Sequence, residues 1–215
     1  MIEKIVNDSI NLQLLKLSNT SNNLANASTP GYLPSGTFIE VVEGQQSVQR
    51  FVNADSLKTA IRQTENPLEL AVMNGGMFIV EKQGQQYLTQ DGRFHINSDG
   101  NIAHISGAYP VTSEGTQLTE ADTSLLSSLI QTVKPSAQHL DLQPQDQGLY
   151  TPQWSQWNVD ERANVLPQAL NQTRQSTTTD VVNMLETQRA IESLQKAYQT
   201  YDTTVSYGIS ELGRK

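Results

Sequence analysis

Two stretches, one at each end of the chain, repeat apolar side chains at helical spacing, and they restrict the fold more than any other feature. From about Asp180 to Leu212, the positions Met184, Thr187, Ile191, Leu194, Tyr198, Tyr201, Val205, Gly208 and Leu212 alternate at intervals of three and four. A four-heptad run of this kind predicts a long helix with a coiled-coil-type seam rather than an ordinary surface helix. At 1.5 Å per residue it extends about 50 Å. Thr177, three residues before Asp180, makes a capping-box-like start. Residues 3–26 carry the counterpart, in which Ile10, Leu14, Leu17, Ser21 and Leu24 form a seam with one polar position. That helix extends about 36 Å. The segment from Asn26 to Gly31, Asn-Ala-Ser-Thr-Pro-Gly, ends it, because proline disfavours helix in the residue before it and glycine supplies a turn.

Stripes of this length need a surface to cover them, and the composition offers little private core. Of the 215 residues only 36% are hydrophobic and 17% charged, while about 77 are Ser, Thr, Asn or Gln. The formal charge of −8 and the pI near 4.8 argue against a general nucleic-acid binder, which needs clustered Lys and Arg. Apolar runs are no longer than four residues, as at Leu70–Met73, so no bilayer span is expected. The start, MIEKIVNDSINLQ, lacks a basic segment followed by an apolar one, so no cleavable secretory signal is expected. The absence of cysteine excludes disulfides and thiolate metal sites, and suits a chain that crosses compartments unfolded.

Between the helical ends the pattern changes to short strands. Thr37–Val42 reads as one strand, followed by a Gln-rich loop. Leu68–Val72, Met77–Glu81, Gln86–Gln90, Arg93–Asn97 and Ile102–His104 follow. They are separated by Asn74-Gly75-Gly76, Gln83-Gly84, Asp91-Gly92 and Asp99-Gly100, which read as hairpin turns. A small antiparallel meander is the expected result. Residues 112–176 read as loop-rich, with scattered Pro135, Pro144, Pro152 and Pro167, packed on the β domain through Trp154 and Trp157. Leu125–Ile130 suits a strand or a helix equally.

No catalytic pattern emerges. His95, His104 and His139 lack metal-ligand spacing and read as solvated or edge histidines, and Asp91 and Asp99 lack the alternate carboxylates of a calcium loop. There is no phosphate-binding Gly-rich loop, no GxSxG elbow, and nothing that points to a Ser-His-Asp triad. No catalytic, cofactor-binding or metal site is expected.

Three segments together resemble the axial proteins of the bacterial flagellum. Leu17–Tyr32, LSNTSNNLANASTPGY, is similar to their shared N-terminal motif, with its turn at Asn22, Asn23, Asn26, Pro30, Gly31 and Tyr32. Val181–Asp202 is similar to the matching C-terminal helix, and Asn66–Val111 resembles the β domain of proximal and distal rod proteins and, in part, of hook protein. The resemblance implies an α+β fold in which long N- and C-terminal helices pair as a coiled-coil-like inner domain, with a small antiparallel β domain between them. Residues 1–32 and 177–215 would form the inner helical layer and 33–176 the β-rich outer domain. It further implies a non-catalytic subunit of the basal-body rod, which spans the periplasm. Such a subunit is exported unfolded through the flagellar type III apparatus without a cleaved signal peptide, and polymerises with further copies and with neighbouring rod and hook proteins. Neither nucleic-acid binding nor direct membrane insertion is implied. The assembly seams would be Ile10, Leu14, Leu17, Ser21 and Leu24, with Met184, Thr187, Ile191, Leu194, Tyr198, Tyr201, Val205 and Leu212. Alone, the monomer's ends would be disordered.

The body is shorter than the family usually shows, with Thr112–Ile130 standing where further strands are expected. The helix Val181–Asp202 points to a distal rod subunit, the shortened body to a divergent proximal one, and a hook protein would carry a larger outer domain. A second reading keeps the same elements in a soluble, non-flagellar binding module whose two helices form an intramolecular hairpin.

Overall fold

The computed structural model describes residues 2–42, 45–160, 165–172 and 177–212, with side chains for 6–36, 51–160, 165–172 and 178–207. It is α+β, with mostly antiparallel sheets. Two compact units divide the chain. One comprises Met1–Ala25, Val41–Val48 and Ser176–Lys215; the other comprises Asn26–Glu40 and Gln49–Gln175.

In the first unit, helices α1 (Ile2–Ala25) and α3 (Thr177–Leu212) lie against each other. The covered face of α3 follows the seam read from the sequence as far as Tyr198. Asp180 and Ile191 are buried, and Met184, Thr187, Leu194 and Tyr198 are half-buried. Beyond it Tyr201 and Val205 are exposed, and the side chain of Leu212 lies outside the described residues. On α1 the covered row runs through Ile10, Gln13, Leu17, Thr20 and Leu24, flanked by buried Asn19 and Asn23. Leu14 is 47% exposed and Ser21 is also exposed. Spacings of three-four and four-three share Ile10, Leu17 and Leu24, so periodicity alone does not choose between these rows.

The strands belong to the second unit, except for the part of the first two that falls within Val41–Val48. In chain order the strands are β1 (Ser35–Val42), β2 (Gln45–Asn53), β3 (Ala60–Gln63), β4 (Leu70–Val72), β5 (Met77–Lys82), β6 (Gln85–Thr89), β7 (Phe94–Ile96), β8 (Ile102–His104) and β9 (Tyr109–Pro110). After the short helix α2 (Leu126–Leu129) come β10 (Thr132–Pro135), β11 (His139–Leu140), β12 (Leu142–Pro144), β13 (Tyr150–Pro152), β14 (Trp157–Val159), β15 (Val165–Pro167) and β16 (Ala169–Gln172). The main sheet has the order β12-β13-β6-β5-β10-β14, with β9 also on β5. Smaller pairings are β1-β2-β11, β15-β4, β16-β3 and β7-β8.

Strand β5 organises the interior. Side chains alternate across a strand, and here both faces are covered, so Met77-Phe-Ile-Val80 is buried without a break. Met77 and Ile79 join a core with Leu33, Leu88, Tyr150 and Trp157. Phe78 and Val80 join another with Leu70, Phe94, Ile102 and Leu126. Gln83 and Gly84 (φ 56° and 77°) make the left-handed pair of a tight hairpin between β5 and β6. Asn74 and Gly75 (φ 58° and 75°) also make a left-handed turn, but it is not the expected hairpin, because β4 pairs with β15 and not with β5.

Further expectations need correction, among them the Gln-rich loop after Val42, where β2 stands. The sheet is not a local meander: residues 112–176 supply β10, β12, β13 and β14 to the same sheet as β5 and β6. Pro135, Pro144, Pro152 and Pro167 each close a strand of three or four residues. Strands that short show no readable alternation, and proline, lacking an N–H, is tolerated at their ends. Asp91-Gly92 is not a hairpin turn; both residues are buried, and a Cβ on Gly92 would stand 1.7 Å from the Leu70 carbonyl oxygen. This glycine serves a close backbone approach rather than a positive φ. His104 is buried completely, whereas His95 and His139 are exposed. Trp157 is buried in the first core, but Trp154 is 43% exposed. The ambiguous Leu125–Ile130 stretch contains α2, which follows a 3-10 turn opened by a Thr119–Asp122 capping box.

Candidate functional site: the motif turn and its seat

The motif turn begins where α1 ends. The Thr29 N–H donates to the Asn26 carbonyl (2.9 Å) and the Tyr32 N–H to the Thr29 carbonyl (3.3 Å), which folds the Asn-Ala-Ser-Thr-Pro segment on itself. Gly31 then takes a left-handed φ of 68°. Its N–H donates to the Asn171 carbonyl (3.1 Å), while its other side faces backbone: a Cβ would lie 2.1 Å from the Asp91 nitrogen. Only glycine meets both conditions. Leu33 follows into the first core, and its N–H donates to the Tyr150 hydroxyl (3.1 Å). Burial raises the Tyr150 pKa to about 12, so this hydroxyl keeps its proton at any physiological pH.

Beneath the turn lies a buried polar group. Asp91 is 2% exposed and is held bidentate by Arg93, with Nε to Oδ1 at 2.9 Å and Nη2 to Oδ2 at 2.6 Å. That carboxylate holds Arg93 above its ordinary value. The Asp91 N–H donates to Thr89 Oγ1, whose hydroxyl donates to the Gly148 carbonyl. Beside them His104 Nε2 stands 3.8 Å from Asp91 Oδ2. Its Nδ1 accepts from the Ser106 N–H and lies 2.7 Å from Ser106 Oγ. A backbone N–H can only donate, so the neutral ring carries its proton on Nε2. Burial first of all, against the partly opposing pull of Asp91, lowers the His104 pKa to about 4.

Ser106, His104 and Asp91 thus adjoin one another, yet the arrangement is structural. Ser106 is 5% exposed and His104 not at all, Asp91 is committed to Arg93, and a base with so low a pKa is a poor proton acceptor at neutrality. Among the described residues no group of three metal-ligating side chains is found, and no helix is long and apolar enough to cross a membrane. A cleft of about 390 Å³ opens beside the turn, lined by Pro30, Tyr32, Arg93, Pro144, Asp146 and Tyr150 among others.

The structure brings Asn26, Pro30, Gly31 and Tyr32 together on this seat, in the second unit, while Asn22 and Asn23 lie on α1 in the first. Sequence reasoning missed Asn171, Tyr150 and the Asp91–Arg93 pair. None belongs to a spacing motif; only the Asp-Gly pair hinted that something unusual occurs at residue 91.

Comparison with known proteins finds similarity to components of the bacterial flagellum. Residues 10–32 match the family described as flagella basal body rod protein. Over 110 residues, 46% of this chain, it is 37% identical to the flagellar hook protein FlgE of Rhizobium meliloti, covering 27% of that protein. It is 32% identical over 110 residues to the flagellar basal-body rod protein FlgF of Mesorhizobium japonicum, covering 44% of it. The matches thus span between about a quarter and under half the length of these relatives. The matched segments are similar to proteins named as flagellar rod and hook components.

Proposed function

We propose that this chain is a structural subunit of the bacterial flagellar basal-body rod, polymerising into a helical tube that transmits torque from motor to hook. The observation that carries the reading is the association of α1 with α3 while both keep large apolar side chains open to solvent. Leu14 is 47% exposed, Leu185 50% and Tyr207 69%. Neighbouring copies would cover these groups, and heterologous contacts that do not close build filaments. In this reading α1 and α3 form a coiled-coil-like inner layer. The expected seams are Ile10, Leu14, Leu17, Ser21 and Leu24 with Met184, Thr187, Ile191, Leu194, Tyr198, Tyr201, Val205 and Leu212. Residues 33–176 build the outer domain, and the motif turn from Asn22 to Tyr32 connects the two. The partners are further copies, neighbouring rod and hook proteins, and the type III apparatus that exports the chain unfolded; no cofactor takes part.

Deleting Val181–Lys215 tests the reading. The shortened chain should be missing from isolated basal bodies, while its β body still unfolds cooperatively. Recovery of the shortened chain in intact basal bodies would sink the proposal. Limited proteolysis of the purified monomer adds a second measurement: rapid loss of about 30 residues from each end is expected of termini completed by neighbours. Protected ends would instead favour a self-contained binding module.

A further inference from the structure

We propose that Asn171 is a latch that fastens the segment following α1 to the segment preceding α3, so that the two crossings into the β body behave as one mechanical joint. Gly31 lies just after α1, and Asn171 on β16 is in the last described segment before α3. They meet directly, the Gly31 N–H donating to the Asn171 carbonyl at 3.1 Å. The Asn171 side chain determines where that carbonyl sits. Its backbone is opposite Ile61 of β3, and its carboxamide, 1% exposed, turns to β4. There Oδ1 accepts from the Val72 N–H (2.8 Å) and Nδ2 donates to the Val72 carbonyl (2.8 Å) and to Thr59 Oγ1 (2.7 Å).

A carboxamide has the donor and acceptor of a peptide group, so here it takes the place of a strand partner for Val72. Aspartate lacks the donor and leucine lacks both. Asn171 thereby joins β3, β4 and the motif turn, and Gly31 is gripped between its carbonyl and the Asp91 backbone. Asn171 is a positioning residue: it acts on the turn through the carbonyl it holds in place. Its mechanical consequence rests on the rod reading, since only a subunit under load needs its two crossings to move together.

The test is hydrogen exchange of the full chain, resolved to single amides. In Asn171→Ala the Gly31 and Val72 amides should exchange about tenfold faster or more, with the Ile79 amide of β5 changed less than about twofold. Loss of protection at Val72 with Gly31 unchanged would overturn the latch and leave Asn171 an ordinary core residue. If Asn171→Ala does not fold, Thr59→Val removes one bond of the set and should still speed Gly31 exchange about threefold; an unchanged rate also overturns the proposal. In the bacterium that encodes the chain, Asn171→Ala should enter basal bodies yet lower swimming torque by at least about twofold; undiminished torque refutes the mechanical role. Absence of the unsubstituted chain from basal bodies refutes the rod reading instead, and leaves the exchange result to decide the latch.

Discussion

Replacing Gly31 by alanine puts one methyl group where the structure has no room for it. A Cβ there would lie 2.1 Å from the Asp91 nitrogen and 2.4 Å from its Cα, whereas ordinary contact begins at 3.4 Å. The obstacle is backbone within a buried segment, so the turn must withdraw by more than 1 Å, the gap between those distances. Such a movement breaks the 3.1 Å bond to the Asn171 carbonyl, a loss of about 1 kcal/mol. Holding alanine at a φ of 68° costs about 1 kcal/mol more. Partial exposure of Leu33, which the turn carries into the core, adds about 1.5–3 kcal/mol. The expected destabilisation is therefore about 4 kcal/mol, read as a lower urea midpoint at unchanged slope. Gly84→Ala is the matching control, because Gly84 has a φ of 77° but nothing within 4 Å of its Cβ position. It should cost about 1 kcal/mol. If the two variants unfold within about 0.5 kcal/mol of each other, the seat contributes nothing beyond backbone strain, and the reasoning fails.

Three further outcomes follow from the same seat. Because the folded His104 titrates near 4 and the unfolded chain near 6.5, the unfolded state binds more protons between those values. Stability is then fully present above pH 6.5 and falls by an order of 3 kcal/mol as the pH drops toward 4; urea titrations across that window should lose this slope in His104→Gln. Tyr150→Phe strips the buried Leu33 N–H of its acceptor and should cost about 1–2 kcal/mol in the same assay. Arg93→Ala leaves the Asp91 carboxylate buried without its bidentate partner, an expected loss of about 3 kcal/mol, and a thermal midpoint equal to wild type would contradict it.

Local signals were legible where they repeat or where a turn demands a special residue. The three-four spacing marked both long helices, and Gln83-Gly84 and Asp99-Gly100 marked hairpins between β5 and β6 and between β7 and β8. Where the evident rule was composition, reading failed. His104 looked like a surface residue because its cover comes from outside its own strand: Phe94, its partner across the β7–β8 pairing, packs edge-on against its ring and Asp91 stands beside it. Asp91-Gly92 looked like a turn because the same dipeptide serves two purposes, and only the position of Leu70 shows which one applies. Strands β12 to β14 are three residues long, below the length at which alternation becomes visible.

Legible from the chain alone were the elements that depend on near neighbours: two long helices, a strand-rich middle, the turn at Pro30-Gly31, and the resemblance to flagellar axial proteins. These follow from periodicity and backbone sterics, which act over a few residues. Tertiary structure alone decided which row of α1 is covered, why Gly31 cannot be larger, and that Asn171 meets it from the far end of the body. Those facts depend on which surfaces approach within a few ångströms, and packing and buried hydrogen bonds between segments far apart in the chain leave no spacing for a linear reading to detect.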